Sequence, residues 1–154
     1  MASGTDLRLT AVWGSAADDV FAVGAEGTIL HYDGSSWSPM ESGVDDTILD
    51  IFGFGESEVY AGYAGGLLVW NGVTWSPRQV DLDGSPVSVN ALSGTAPENM
   101  FISAGGRLAH YDGATATPLS QLRMSAFIEA VGPRAVFAGS LSSFDERVSL
   151  YAVP

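Results

Sequence analysis

The feature that most constrains this sequence is an internal repeat of about 40 residues, which occurs four times. In each copy an apolar residue is followed by Gly or Ser, at residues 13–14, 52–53, 92–93 and 131–132, so that successive copies lie 39, 40 and 39 residues apart. A fixed period of this length is typical of units that bury their apolar faces only against neighbouring units. The sequence therefore predicts a repeat protein.

Two further markers divide each copy into short strands. The first is a run of β-favouring residues, VFA, VYA, MFI and VFA, at residues 20–22, 59–61, 100–102 and 136–138. The second is Asp or Asn followed by Gly, at residues 33–34, 71–72 and 112–113, a pair that favours tight hairpin turns. In the first copy these markers predict four strands, at residues 9–13, 20–23, 28–32 and 36–40.

The fold class that fits such units is all-β, specifically a β-propeller. Runs such as LTAVW and TILHY are apolar on both faces, as expected for a sheet that neighbours cover on both sides. Pro39, Pro77 and Pro118 fall in the fourth predicted strands, where an outer edge tolerates a missing N–H. We predict one domain or half-propeller over residues 1–154, with four blades of about 40 residues at 9–43, 44–84, 85–121 and 122–154.

Two ways of closing the ring stay open at this point. The fourth copy ends where a fourth strand is due, and residues 1–4 align with residues 40–43, the end of the fourth strand in the first copy. Residues 1–8 are therefore a candidate closing strand, acting within one chain or between two. Closure within one chain gives a four-bladed ring, and two chains head to tail give an eight-bladed homodimer. We favour the homodimer.

The first copy resembles bacterial propeller repeats of the form VWGSxxDDVFAVG…GTILHYDGxxW, which occur in extracellular proteins of myxobacteria and their relatives. The resemblance covers the whole chain and weakens with each copy. The turns are loosely similar to the Asp-box of sialidase-like propellers. This resemblance implies an extracellular or cell-surface location, although residues 1–8 do not read as a secretory signal.

The charge of the chain argues against two classes of partner. Eighteen acidic residues face six Arg and no Lys, for a formal net charge of -12. Nucleic acids and anionic membrane surfaces would be repelled. The chain has no cysteine and no apolar run long enough for a membrane helix, so we expect a soluble protein without disulfides.

The repeat alignment places Asp50, Asn90 and Glu129 at one equivalent position, where the first copy has Ala11. In a propeller these residues lie near the central channel. Their oxygens are of the kind that Ca²⁺ accepts, but a water-filled channel also prefers polar walls. We predict a ligand position there and favour no cofactor, with Ca²⁺ as the alternative.

A second candidate ligand position is the loop predicted at residues 140–147, which contains Phe144 and Asp145. It belongs to the face that carries the links between copies. His31 and His110 occupy one repeat position that is aliphatic in the other copies, and no partner residue is evident at a fixed spacing. We therefore interpret both histidines as packing residues.

No catalytic motif is recognisable in the sequence. We predict a non-catalytic binding or scaffolding module that recognises a protein or carbohydrate through one loop face. The alternative is a degraded propeller hydrolase or lyase that uses Asp50 and Glu129. That alternative requires carboxyl groups about 5 to 10 Å apart, as in glycosidases.

Overall fold

The computed structural model describes residues 4–123, 127–132, 135–142 and 145–152. These residues form an all-β structure with three four-stranded sheets, one three-stranded sheet and one short hairpin. Among them, no helix is long and apolar enough to cross a membrane. We number the larger sheets I to IV in chain order; within each, consecutive strands pair antiparallel.

Sheet I comprises β1 (Leu9–Ala16), β2 (Asp19–Gly24), β3 (Ile29–Tyr32) and β4 (Trp37–Met40). Sheet II comprises β5 (Ile48–Gly55), β6 (Glu58–Tyr63), β7 (Gly66–Trp70) and β8 (Trp75–Arg78). The hairpin consists of β9 (Val80–Leu82) and β10 (Ser85–Val87). Sheet III comprises β11 (Val89–Ala96), β12 (Asn99–Ala104), β13 (Arg107–Tyr111) and β14 (Ala116–Arg123), and sheet IV comprises β15 (Phe127–Gly132), β16 (Ala135–Ser142) and β17 (Asp145–Ala152).

The predicted four strands of the first copy are thus present, each within a few residues of its expected bounds. The β9–β10 hairpin is an addition that the repeat did not indicate. Its turn is Asp83 followed by Gly84, both with positive φ, at 53° and 78°. Asp-Gly is a preferred pair for such turns, so the sequence carries a local signal for this hairpin, although the pair lies at the predicted boundary between the second and third copies.

The long loop predicted at residues 140–147 is wrong. Strands β16 and β17 continue their pairing to Ser142 and Asp145. Asp145 therefore belongs to a strand, while Phe144 lies outside the described residues. Polar residues suggested a loop, but backbone pairing defines a strand, and an antiparallel hairpin can continue through polar residues.

The Asp-Gly and Asn-Gly markers form the turns expected of them. Asp33 Oδ1 accepts backbone N–H bonds from Ser35 and Ser36, each at 2.9 Å, and Gly34 has a φ of 88°. Asn71 and Asp112 make the same pair of bonds in sheets II and III. The side chain therefore supplies the acceptor that closes each turn.

Sheets I, II and III pack face to face in sequence. Phe21 and Val23 of sheet I meet Ile51 and Val59 of sheet II in one buried cluster. A second cluster joins sheets II and III, and a smaller one joins Phe101 of sheet III to Ile128 of sheet IV. Most apolar burial is therefore between sheets, as expected when each unit covers the next.

We call β1, β5, β11 and β15 the first strands, because each opens its sheet. Neighbouring first strands lie side by side, β1 with β5, β5 with β11 and β11 with β15. In the part of the chain that the structure describes, no comparable packing returns from β15 to β1. The four sheets thus form an arc whose concave side is lined by the first strands.

Candidate functional site

The first strands line a cavity of about 510 Å³ on the concave side of the arc. Asp50, Asn90 and Glu129 all lie on its wall. Asp50 and Asn90 are partly buried, and Glu129 is exposed. The structure therefore brings the three predicted polar residues to one cavity.

The three residues are nevertheless not equivalent in register, and the alignment that equated them is wrong. Ala91, not Asn90, holds the strand position of Asp50, since their partners on β12 and β6 are equivalent. Glu129 holds the position of Ser93, because each pairs with the central Phe of the next strand. The alignment matched one apolar residue of each copy to those of the others. Strand pairing instead places a polar serine, Ser93, at that register position in sheet III.

The carboxylate of Asp50 is already engaged by the backbone. Its Oδ1 accepts the N–H of Ile51 and its Oδ2 accepts the N–H of Leu92, both at 2.9 Å. Burial raises the pKa of Asp50 above the ordinary value, while the bonds from Leu92 and Ile51 oppose that rise. This carboxylate joins β5 to β11, so its first role is structural.

Asp50 is one of three such links between first strands. In each, a polar side chain of one first strand bonds the backbone of the next. The links are Thr10 Oγ1 donating to Ile48 O at 2.6 Å, Leu92 N donating to Asp50 Oδ2 at 2.9 Å, and Ala130 N donating to Ser93 Oγ at 3.1 Å. Polar residues on the cavity wall therefore serve largely to hold the arc together.

The described residues of this cavity do not form a metal centre. Within residues 4–119 and 128–130, where side chains are described, no three His, Asp or Glu residues are grouped to hold an ion. The acceptor oxygens of Asp50 are directed to backbone amides instead.

Sequence reasoning missed a side-chain network in sheet I. Asp19 accepts a hydrogen bond from Ser15 through Oδ2, and His31 Nε2 lies 2.7 Å from Asp19 Oδ1. His31 also packs on Phe21, with ring centroids 4.6 Å apart. The histidine therefore packs as predicted but has a carboxylate partner, which the prediction denied.

Sheet III repeats this network with an amide in place of the carboxylate. Asn99 Nδ2 donates to Thr95 Oγ1 at 2.7 Å, and His110 Nε2 lies 2.8 Å from Asn99 Oδ1. The signal was a hydroxyl residue four positions before Asp or Asn, followed by a His on the next strand. In both networks the central residue separates hydroxyl from imidazole, so the imidazole is not placed to take the hydroxyl proton as in a catalytic triad.

The two ends of the sheets carry different loops. We call the end with the β2–β3, β6–β7 and β12–β13 turns and the links between sheets the link face. A cavity of about 540 Å³ lies there, bordered by Glu26, Glu41 and Asp45, which are exposed. Its wall also includes Trp37 and Met40. Acidic and apolar side chains therefore line the same cavity.

Exposed carboxylates continue across the link face beyond this cavity. They are Asp46 on the link to sheet II and Asp81 and Asp83 on the β9–β10 hairpin. Arg107 Nη1 binds Asp83 Oδ2 at 2.7 Å, in an exposed ion pair. Arg8 is also exposed at this end, where its backbone carbonyl accepts the N–H of Ala25. Among the residues described, carboxylates outnumber arginines on this face.

Comparisons with known proteins identify the fold but no family. No protein-family model matches the chain, and no curated protein matches it. Among solved structures, the chain is similar to the computationally designed Ika8 protein, with a TM-score of 0.65 and 19% sequence identity. The match covers 95% of this chain and 46% of the Ika8 chain, so this chain spans just under half the length of the structure it matches.

Proposed function

We propose that sheets I to IV are blades of a β-propeller and that the chain is a non-catalytic binding or scaffolding module. It recognises a protein or carbohydrate through the link face. The observation that carries the proposal is the acidic, partly apolar cavity of about 540 Å³ on that face. Cavities with an apolar floor and a few polar groups are the usual form of recognition sites.

The division of labour between the two cavities supports this choice. On the concave side, the side chains of Asp50 and Ser93 accept backbone hydrogen bonds that join neighbouring sheets. On the link face, Glu26, Glu41 and Asp45 are exposed on turns and links. Side chains on loops held by a rigid scaffold are free to meet a partner, whereas those between strands are not.

The charge of the link face favours a protein partner with basic side chains over a neutral glycan. Six exposed carboxylates lie there, against Arg8 and the paired Arg107. A patch of one sign steers an oppositely charged partner and raises its association rate. Glycan recognition is the other form of the same proposal, since the cavity presents apolar area beside polar groups.

Peptide arrays and glycan arrays, probed with the purified full chain, test the proposal. Replacing Glu41 and Asp45 together by Lys should abolish the positive signals. The matched control replaces Glu56 and Glu98 by Lys, because these exposed residues lie on turns at the opposite end of the sheets. Equal loss in both variants would show that net charge alone governs binding and would refute a link-face site.

A second candidate function is that of a propeller hydrolase or lyase. The observation in its favour is that Asp50, with a raised pKa, and Glu129 line the same cavity. A raised pKa suits a general acid. Turnover of glycoside substrates that is lost in both Asp50→Asn and Glu129→Gln would support it. Absence of turnover across such a panel would leave the binding module as the function.

A further inference from the structure

The first strand of sheet I exposes apolar residues whose counterparts in sheets II and III are buried. Val12 is 66% exposed, whereas Ile51 and Leu92 at the same register position are 4% and 2% exposed. Leu9 is 38% exposed, whereas Ile48 and Val89, its equivalents, are fully buried. We call the surface formed by Leu9, Val12, Val20 and Trp37 the open face of sheet I.

The chemistry of the open face is that of an interface between sheets. Its residues are apolar, as are those that bury sheet II against sheet I. A surface of this kind is costly to leave in water and marks a contact with another body. The body that covers the equivalent surface of sheets II and III is, in each case, the preceding sheet.

We propose that the open face binds a second copy of this chain. The inference rests on the propeller arrangement proposed above. Sheet IV of each copy covers sheet I of the other, as sheet I covers sheet II, and the two contacts are related by a twofold axis. Because both open ends are used, the assembly closes as a dimer of eight sheets and does not grow into a filament.

The series of links between first strands gives this contact a polar element. Thr10, Asp50 and Ser93 each reach from one first strand to the backbone of the next. Glu129 lies on β15, the last of the first strands, and holds the register position of Ser93. Its carboxylate makes no hydrogen bond within the described part of the chain. In the dimer its carboxylate accepts a backbone N–H from β1 of the second copy, which continues the series.

The length of the similar solved structure supports a second copy as the occupant. The match covers 95% of this chain but only 46% of the Ika8 chain. The same fold therefore accommodates about as much polypeptide again. Two copies of this chain supply that amount with no other component.

Light scattering of the purified chain over a wide dilution series tests the proposal. The expected mass is about twice the 16.0 kDa of one chain, with little dissociation on dilution, as for an obligate apolar interface. Val12→Glu should give a folded monomer by circular dichroism. Val73→Glu is the matched control, because Val73 is 79% exposed on the β7–β8 turn, away from the open face.

Thiol labelling gives an answer even if Val12→Glu fails to fold. The chain has no cysteine, so Val12→Cys and Val73→Cys each introduce a single thiol. In the dimer a maleimide should label Val12→Cys at least tenfold more slowly than Val73→Cys. Equal labelling rates would overturn the assignment of the open face.

The other outcomes overturn the proposal. A monomer at all concentrations means that the open face is covered within one chain or by another partner. Assemblies larger than a dimer mean that the ends join without closing. Loss of the dimer in both Val12→Glu and Val73→Glu means that added charge, not the open face, controls assembly. The array experiments are a separate test, because the variant used there changes Glu41 and Asp45, which lie outside the open face.

Discussion

The six-membered ring of the Trp13 indole lies against Gly53, so close that a Cβ at residue 53 would stand 2.6 Å from Cη2 of the ring. Trp13 belongs to β1 and Gly53 to β5. Because Gly53 has no side chain, sheet I can pack closely against sheet II at this point. The residue pair therefore fixes how closely these two sheets approach.

Gly53→Ala should destabilise the fold by about 1–3 kcal/mol, because overpacking forces Trp13 or its strand to move. Gly55→Ala is the matched control, since a Cβ at that position of the same strand meets no atom within 4 Å. Urea unfolding, followed by tryptophan fluorescence, measures both. Equal stability of the two variants would show that the indole swings away without cost.

Asp50→Ala should lower the free energy of unfolding by about 1–3 kcal/mol, because two backbone N–H groups lose their acceptor. Ser38→Ala is a suitable control, because Ser38 is an exposed residue of sheet I that does not link first strands. Chemical denaturation at neutral pH provides the comparison. An unchanged midpoint would mean that water replaces the carboxylate.

The titration of Asp50 should also appear in the pH dependence of stability. Its native pKa is raised, mainly by burial, so the native state holds this proton more tightly than the unfolded state does. The resulting stabilisation is complete below the ordinary pKa of 3.8 and is lost as the pH rises through the native pKa. Asp50→Asn lacks this loss, so its stability relative to the wild type should increase over that interval. A difference that stays constant with pH would contradict the assignment.

Asp33 should show the opposite sign. Bonds from the backbone of Ser36 and Ser35 lower its pKa, so its stabilisation is present above 3.8 and is lost as the pH falls through the native value. Asn71 makes the same turn without a charge. At neutral pH, Asp33→Asn keeps the acceptor but loses the charge, so it should melt between the wild type and Asp33→Ala, which loses both. Thermal unfolding at neutral and acidic pH measures both effects, and equal melting of the Ala and Asn variants would refute the turn's dependence on this acceptor.

Asp19→Asn should fold and retain most of the wild-type stability, because Asn99 occupies the same place between a hydroxyl and a histidine in sheet III. Asp19→Ala removes the partner of both Ser15 and His31 and should be the less stable variant. Denaturation midpoints rank the two. A wild-type midpoint for Asp19→Ala would show that the network contributes nothing to the fold.

The repeat period predicted the strands well because turn chemistry and apolar runs are local signals. Asp33 with Gly34 marks a turn without knowledge of any distant residue. Register across sheets is different, since it depends on which residues of two strands pair. Ser93 holds a register position that is aromatic in sheets I and II. An alignment based on hydrophobicity therefore slipped by one residue in sheet III and misplaced Asn90.

The candidate site was predicted in location but not in role. That Asp50 and Glu129 reach one cavity followed from the repeat. That Asp50 is bound by the amide of Leu92, 42 residues away, did not, because only the folded arrangement brings that amide within reach. The pairing of His31 with Asp19 has a sequence signal, a spacing that recurs in sheet III, but the spacing alone does not show that the two side chains face each other.

The three links between first strands differ in chemistry as well as in register. At the first junction a hydroxyl of Thr10 donates, at the second the carboxylate of Asp50 accepts, and at the third the hydroxyl of Ser93 accepts. In every link the partner is a backbone C=O or N–H of the next strand, and any first strand offers both groups. One side chain of a link can therefore change without a matching substitution in the neighbouring unit, so each repeat is free to diverge by itself.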